Sequence, residues 1–165
     1  MKLFDVTKEL TRHSVKRYSR RKILKEVVTH HSLTKSGSPQ SFARYHVNNR
    51  NFPGIAYHAV VDTKIYLTTK EQFASPHCSG RNYRSLGVCL VGNFDDQEVS
   101  NRIYKNYIYY LAYVFDRHGV LPVFSHRDFS SKSCPGNLFT PFDICQAQFL
   151  AAQLVKLNLL TFEVV

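Results

Sequence analysis

The order of hydrophobic and polar residues predicts several short strands. The segment KEVVTHH, which starts at Lys25, is short and rich in β-branched residues, as buried strands are, and it ends in two histidines. The run LGVCLVG, at residues 86–92, is almost wholly apolar and predicts a central strand that is covered on both faces. The segments YHAVVD and KIYLT, joined by a tight connection at residues 62–64, predict a hairpin.

Three further segments have the pattern of helices and alternate with the strands. Apolar side chains recur every three or four positions over residues 101–118, and a glycine follows them. A Ser-Pro pair at residues 38–39 and a Thr-Pro pair at residues 140–141 predict the starts of two more helices. The segment VLPVFSH, at residues 120–126, predicts another strand that ends in a histidine. We therefore expect an α/β fold with a mixed, mostly parallel central sheet flanked by helices.

The chain has the size of one domain. Its 165 residues, 44% of them hydrophobic, suffice for one core and are too few for two ordinary domains. The same composition, with only 7 Gly and 6 Pro, excludes disordered and fibrous classes. We therefore expect a single domain, with a monomer as the default state.

Positive charge is concentrated at the N-terminus. Lys and Arg outnumber Asp and Glu by 22 to 12, a net charge of +10, and residues 1–25 alone hold nine basic and two acidic residues. We therefore divide the chain into a basic N-terminal arm or short helix, residues 1–22, and the main domain, residues 23–165. Such an arm suggests a polyanionic partner, and charge alone leaves open nucleic acid, an anionic membrane or the anionic polymers of a bacterial wall.

Targeting signals are missing from the sequence. No apolar run approaches the roughly 20 residues that a membrane span needs, and the first residues lead into no signal-peptide core. We therefore expect a cytoplasmic protein without a membrane span. Its cysteines, which we expect to be free thiols in that compartment, are Cys78, Cys89, Cys134 and Cys145. Cys89 lies inside the apolar run and is expected to be a core residue.

Three side chains with metal-binding chemistry lie at or after the ends of strands. His30 and His126 end two predicted strands, and Cys134 lies in the loop after the second. Ligands gather beyond the strand ends of such sheets, so we expect these side chains to meet. Two imidazoles and one thiolate form a catalytic zinc set, because a fourth position stays open for a water whose pKa falls to about 7. A cysteine hydrolase, with Cys134 as nucleophile and His126 as base, is the other interpretation.

Four segments, in this order and spacing, resemble the zinc-dependent type 2 N-acetylmuramoyl-L-alanine amidase family. They are VVTHHSLT, GIAYHAVV, PHCSGRNYRSLGVCLVGNFD and FSHRDFSSKSCPG. The family includes small phage endolysins and the peptidoglycan recognition proteins. The similarity runs from about Lys25 to about Gln153 and leaves residues 1–22 outside it.

The resemblance implies roles for individual residues. The positions that match the ligands of one zinc ion per chain are His30, His126 and Cys134. Tyr57 and Lys132 match positions that phage amidases use in catalysis, and His77 matches a substrate-binding residue of the groove. A cation at Lys132 would stabilise the tetrahedral oxyanion. The general base stays open between Tyr57 and the zinc hydroxide. His31, next to the first ligand, is expected to face the other side of the strand.

The function that the resemblance implies is hydrolysis of the amide between N-acetylmuramic acid and L-alanine in peptidoglycan, with phage or prophage lysis of a host cell as the setting. The basic arm would then bind anionic wall polymers. A cytoplasmic amidase that recycles muropeptides is the first alternative. A protein that binds peptidoglycan without cutting it is the second, although such relatives typically lack the cysteine ligand. Binding of nucleic acid or a polymerase through the arm is the third, without a recognised motif to support it.

Overall fold

A seven-stranded mixed sheet forms the centre of the computed structural model, which describes all 165 residues. In chain order the strands are β1 (Lys2–Asp5), β2 (Ser19–Arg20), β3 (Glu26–His31), β4 (Ala59–Val61), β5 (Ile65–Leu67), β6 (Phe73–Ala74), β7 (Ser85–Leu90), β8 (Val123–Ser125) and β9 (Glu163–Val164). The large sheet has the order β8-β3-β7-β4-β5-β1-β9, and β2 pairs with β6 in a separate ribbon. Within the large sheet only β4 and β5 are antiparallel. The predicted α/β fold with a mixed, mostly parallel sheet is confirmed.

Helices cover both faces of this sheet. They are α1 (Pro39–Asn48), α2 (Asn101–His118) and α3 (Pro141–Lys156). Helices α2 and α3 bury the larger core against alternate residues of the strands, among them Val61 and Val88. The neighbouring residues Val60 and Cys89 point to the other face, where they pack with Ala43 of α1. Cys89 is therefore a core residue, as predicted.

Each helix starts at the residue that the sequence predicts. The side chains of Ser38, Ser100 and Thr140 accept hydrogen bonds from the backbone three residues later. These bonds satisfy amide groups that a helix start leaves without a partner. Gly119 ends α2 with a φ of 76°, a conformation that favours glycine.

The N-terminal segment differs from the predicted arm or short helix. Residues 2–5 form β1, which lies between β5 and β9 and fully buries Leu3. Both neighbours supply backbone hydrogen bonds to this short strand, so it is part of the sheet despite its charged ends. Residues 7–18 follow as a turn, bends and irregular chain, without a helix. A functional division between residues 1–22 and 23–165 stays a prediction.

Two smaller expectations concern thiols and membranes. All four cysteines are free, as predicted. None of the helices combines the length and the hydrophobicity that crossing a bilayer requires.

Candidate metal centre

Strand register brings the first two candidate ligands together. Strands β3 and β8 are parallel, and Thr29 pairs with Ser125. The next residues are His30, still in β3, and His126, which directly follows β8 and begins a short 3-10 helix, His126–Phe129. Because neighbouring strands lie about 4.8 Å apart, this register makes the two histidines neighbours. Their ring centroids are 4.5 Å apart. The predicted meeting of these two histidines is present in the structure.

Side-chain alternation along β3 decides which residues face the cluster. Thr29 bonds to the Tyr107 hydroxyl of α2 at 2.7 Å, so it faces the larger core. His31 also turns to that face, where its Nδ1 accepts a hydrogen bond from the Phe94 amide at 3.2 Å. His30 lies between them and points to the face that carries α1. The predicted opposite orientation of His31 is confirmed.

Cys134 completes the cluster from a loop. The ligand atoms of His30, His126 and Cys134 all lie within 4.8 Å of one another. Cys134 Sγ lies 3.7 Å from His30 Nδ1. The two imidazole rings and the thiol therefore converge on one point, and the sequence prediction of their convergence agrees with the geometry.

The loop that carries Cys134 is fixed by Asp95 and Arg127. The Asp95 carboxylate accepts hydrogen bonds from the Ser133 hydroxyl at 2.8 Å and from the Asn137 amide at 2.9 Å. The Ser133 hydroxyl is also the main reason why the pKa of Asp95 lies below its usual value. The backbone amide of Arg127 donates to the Cys134 carbonyl at 2.8 Å. These contacts hold the thiol next to the two imidazoles.

Burial sets the protonation of the three groups. It lowers the pKa of His30 well below the usual value, and it lowers the pKa of His126, so both imidazoles keep lone pairs near neutral pH. Burial raises the pKa of the Cys134 thiol to about 11. Neutral imidazoles and a sulfur that gives up its proton to a metal form the donor set of a zinc site. The three residues therefore fit one zinc ion.

His77 lies between His30 and Ser85 and forms one link in a chain of hydrogen bonds. The Ser85 hydroxyl donates to the Arg81 carbonyl at 2.7 Å, so its oxygen accepts from His77 Nε2 at 3.1 Å. His77 Nδ1 then accepts from His30 Nε2 at 3.0 Å. The proton of neutral His30 accordingly lies on Nε2, and the lone pair on Nδ1 faces Cys134. A chain of this kind orients an imidazole for metal binding.

The position of His77 depends on a glycine. A Cβ atom at Gly87 would lie 2.5 Å from Cγ of His77, which is closer than side chains approach each other. His77 is only 7% exposed, and both its ring nitrogens have protein partners. The substrate-binding role that the resemblance implies for His77 stays a prediction. Its contact with His30 is a feature that sequence reasoning missed.

Tyr57 lies on the other side of His30. The two ring centroids are 5.3 Å apart, and Tyr57 is half-buried. Burial raises the pKa of Tyr57 well above its usual value, and the nearby thiols of Cys89 and Cys134 raise it further. The hydroxyl is therefore protonated at any physiological pH and acts as a hydrogen-bond donor.

Lys132 is exposed in the same loop as Cys134. Burial is the main cause of the lowered pKa values of His30 and His126, and the positive charge of Lys132 adds to both. The Lys132 ammonium therefore contributes positive potential at the cluster. All six predicted site residues lie in or beside one region on the α1 face of the sheet.

A family model described as N-acetylmuramoyl-L-alanine amidase matches residues 6–137, which is most of the chain. The chain belongs to this amidase family. The match begins at residue 6, directly after β1, so it includes most of the segment 1–22 that we expected to lie outside the resemblance, and it ends within the loop that carries Cys134.

Solved structures of the amidase family and of peptidoglycan recognition proteins have the same fold. The amidase LysC from Clostridium intestinale URNW is 25% identical, with a TM-score of 0.78, over 89% of this chain and 96% of that chain. Peptidoglycan recognition protein-LE, solved in complex with tracheal cytotoxin, is 21% identical, with a TM-score of 0.72, over 81% and 87%. Drosophila PGRP-LB is 18% identical, with a TM-score of 0.71, over 84% and 91%. No curated protein sequence matches the chain.

The residues that the sequence did not predict are those that hold the metal-ligating side chains in position. Asp95 fixes the loop of Cys134, and Ser85 with His77 fixes the tautomer of His30. Asp95 follows the apolar strand in the segment GNFD, and Ser85 is the first residue of that strand. Neither has a spacing that predicts these contacts.

Proposed function

We propose that this member of the amidase family is a zinc-dependent N-acetylmuramoyl-L-alanine amidase that acts on peptidoglycan. The observation that carries the proposal is the convergence of His30, His126 and Cys134, with Tyr57 and Lys132 beside them. The name of the LysC relative, an N-acetylmuramoyl-L-alanine amidase, supports the same activity. The bond cleaved is the amide between N-acetylmuramic acid and the L-alanine of the stem peptide.

The ligand set is suited to one zinc ion per chain. Two neutral imidazoles and one thiolate leave a formal charge of +1 on such a site. When bound, zinc supplies Lewis acidity that polarises an amide carbonyl and lowers the pKa of water to about 7. The hydrogen-bond chain through His77 keeps the Nδ1 lone pair of His30 available for this role.

Tyr57 and Lys132 act on the amide carbonyl. The protonated Tyr57 hydroxyl donates a hydrogen bond to the carbonyl oxygen, and its raised pKa argues against a role as general base. Lys132 places a positive charge where the oxyanion develops during attack. One such stabilising group is often worth about 3 kcal/mol in the transition state.

The cysteine-hydrolase interpretation is less well supported. A nucleophilic cysteine needs a lowered thiol pKa, usually with a cation or a helix N-terminus beside it. Burial instead raises the pKa of Cys134 to about 11, even though Lys132 and Arg127 partly oppose it. The raised pKa of the Cys134 thiol therefore favours a role as a metal ligand over a role as a nucleophile.

We propose phage or prophage lysis of a host cell as the biological setting. A second solved relative, named as an endolysin from Clostridium intestinale URNW, supports this choice, with 25% identity over 89% of this chain. Recycling of released muropeptides is the second candidate, because the same site chemistry serves both. The two settings differ in the size of the preferred substrate.

Peptide release tests the proposed activity directly. Purified sacculi and a soluble muropeptide are incubated with the protein, with a chelator, and with the chelator followed by added zinc. We expect release of L-alanine-terminated peptide from sacculi, loss of that release on chelation, and recovery with zinc, because water activation depends on the metal.

The outcomes of this assay separate the alternatives. Cleavage that survives chelation but is lost on thiol alkylation would support the cysteine hydrolase. Preference for the soluble muropeptide over sacculi would support recycling. Binding to sacculi without release of peptide would contradict the proposed activity altogether.

Replacing Lys132 should slow cleavage while leaving zinc in place. We expect Lys132→Gln to lower kcat by about a hundredfold, because it removes the charge that stabilises the oxyanion. Lys156→Gln is the matched control, since Lys156 is exposed at the end of α3, across the sheet from the site. Equal rates for Lys132→Gln and the control would exclude this role for Lys132.

Replacing His77 should weaken zinc binding. We expect His77→Leu to lower the zinc affinity by about 10- to 100-fold, because His30 loses the acceptor that fixes its tautomer. His77→Asn, which keeps an acceptor in a similar place, should retain more of the affinity. Competition with a fluorescent chelator measures both variants, and thermal unfolding checks that each is folded. Unchanged affinity in a folded His77→Leu protein would rule out a positioning role.

A further inference from the structure

A basic cavity is lined by eleven residues, at positions 7, 8, 12, 13, 16–18, 53, 70, 72 and 73, and none of them is acidic. Its volume is about 580 Å³. The lysine and arginine side chains that line it are Lys8, Arg12, Lys16, Arg17 and Lys70. None of them takes part in a salt bridge. The basic cavity therefore gathers uncompensated positive charge, which favours an anionic ligand.

The loop that supplies most of these cations has a defined shape. Nδ1 of His13 accepts hydrogen bonds from the amides of Val15 at 3.0 Å and Lys16 at 3.1 Å. His13 Nε2 lies 2.9 Å from the Asn51 side-chain oxygen, to which it donates. The Lys16 ammonium donates to the Asn51 carbonyl at 2.9 Å. Such preorganisation lowers the entropy cost of ligand binding.

The segment of residues 53–57 leads from the lining of the basic cavity, at Pro53, to Tyr57 beside the metal centre. The Tyr18 hydroxyl donates to the Ile55 carbonyl at 2.5 Å. A Cβ atom at Gly54 would lie 2.5 Å from the same hydroxyl, so glycine allows this close packing. Tyr57, at the end of this segment, has its ring centroid 5.3 Å from that of His30. One short segment of chain therefore links the two regions.

The aromatic rings of the basic cavity are poorly placed to stack a nucleobase. The Arg12 guanidinium lies 4.9 Å from the Tyr18 ring centroid, and Phe73 stacks against Tyr18 with centroids 6.3 Å apart. Proteins that bind single-stranded nucleic acid without sequence preference use open aromatic faces as platforms. The arrangement favours a ligand that offers phosphate charge without bases.

We propose that the basic cavity binds an anionic, phosphodiester-linked polymer of the bacterial wall and so holds the enzyme on its substrate. The choice of a wall polymer rests on the proposed function, because an amidase that cleaves peptidoglycan meets such polymers beside its substrate. Lys and Arg contacts to phosphates release counterions, so the affinity falls as the salt concentration rises.

Binding of a labelled poly(glycerol phosphate) chain to the full-length protein tests the proposal. Fluorescence anisotropy gives the affinity between about 50 and 200 mM salt. We expect Lys8→Gln combined with Lys70→Gln to weaken binding on the order of tenfold at the low salt concentration. The slope of log affinity against log salt should fall by about 1.4, the value for two lost phosphate contacts on a flexible chain. Both lysines are exposed, and thermal unfolding checks the fold of the variant.

Two comparisons make the result decisive. Arg102→Gln combined with Lys105→Gln removes the same charge from exposed positions on α2, across the sheet, and should leave the affinity nearly unchanged. Equal weakening by both double variants would overturn the proposed site in favour of general charge attraction. Tighter binding of an oligothymidylate with the same number of phosphates would overturn the choice of a wall polymer in favour of nucleic acid.

Failure of this proposal is distinguishable from failure of the proposed function. Release of peptide from a soluble muropeptide measures cleavage without any wall polymer present. Cleavage without polymer binding would overturn only the role of the basic cavity, whereas polymer binding without cleavage would overturn only the amidase activity.

Discussion

The parallel pairing of β3 between β7 and β8 is the constraint on which the site depends. It places Thr29 opposite Ser125, so that the two histidines that follow project side by side. Because side chains alternate along a strand, a slip of one residue would turn His30 into the core beneath α2. All six residues of β3 are buried, and its polar side chains Thr29, His30 and His31 have hydrogen-bond partners that a shifted register would remove. The geometry of the metal centre therefore follows from the packing of the sheet.

Polar groups next to this core need partners, and the partners set the chemistry. His30 is 2% exposed and has hydrogen-bonding nitrogens on both sides of its ring. Nε2 meets His77, which is itself held by Ser85, and Nδ1 meets Cys134. A buried imidazole without partners would cost stability. The N–H donor at Nε2 therefore needs an acceptor, and the lone pair at Nδ1 needs a donor or a metal ion. The first is satisfied within the protein, and we propose that the second is satisfied by zinc.

The sequence predicted the elements that have a local pattern, but not those that depend on long-range strand pairing. Periodicity and capping residues located β3, β7, α1, α2 and the start of α3, because these depend on local patterns. Strand β1 was missed, since two of its four residues, Lys2 and Asp5, are charged and the strand is ordered only by pairing with β5 and β9. Long-range pairing of this kind leaves little trace in the local sequence.

The residues of the candidate site also fall into two groups, those that the sequence predicted and those that it did not. His30 near the end of β3, His126 directly after β8 and Cys134 in the following loop were predictable from residue type and strand position. The resemblance supplied Tyr57, Lys132 and His77. Asp95 and Ser85 were not predictable, because each acts across the fold on a residue distant in sequence. Supporting contacts depend on side-chain geometry, which periodicity and motif spacing do not encode.

X-ray absorption at the zinc K-edge tests the central claim, that these three side chains hold one zinc ion. For the zinc-loaded protein the account predicts one sulfur at about 2.3 Å and nitrogen or oxygen ligands at about 2.0 Å. The sulfur should disappear in Cys134→Ser and remain in Cys145→Ser, which alters an exposed thiol on α3. Zinc that binds without sulfur, or sulfur that survives in Cys134→Ser, would contradict the account.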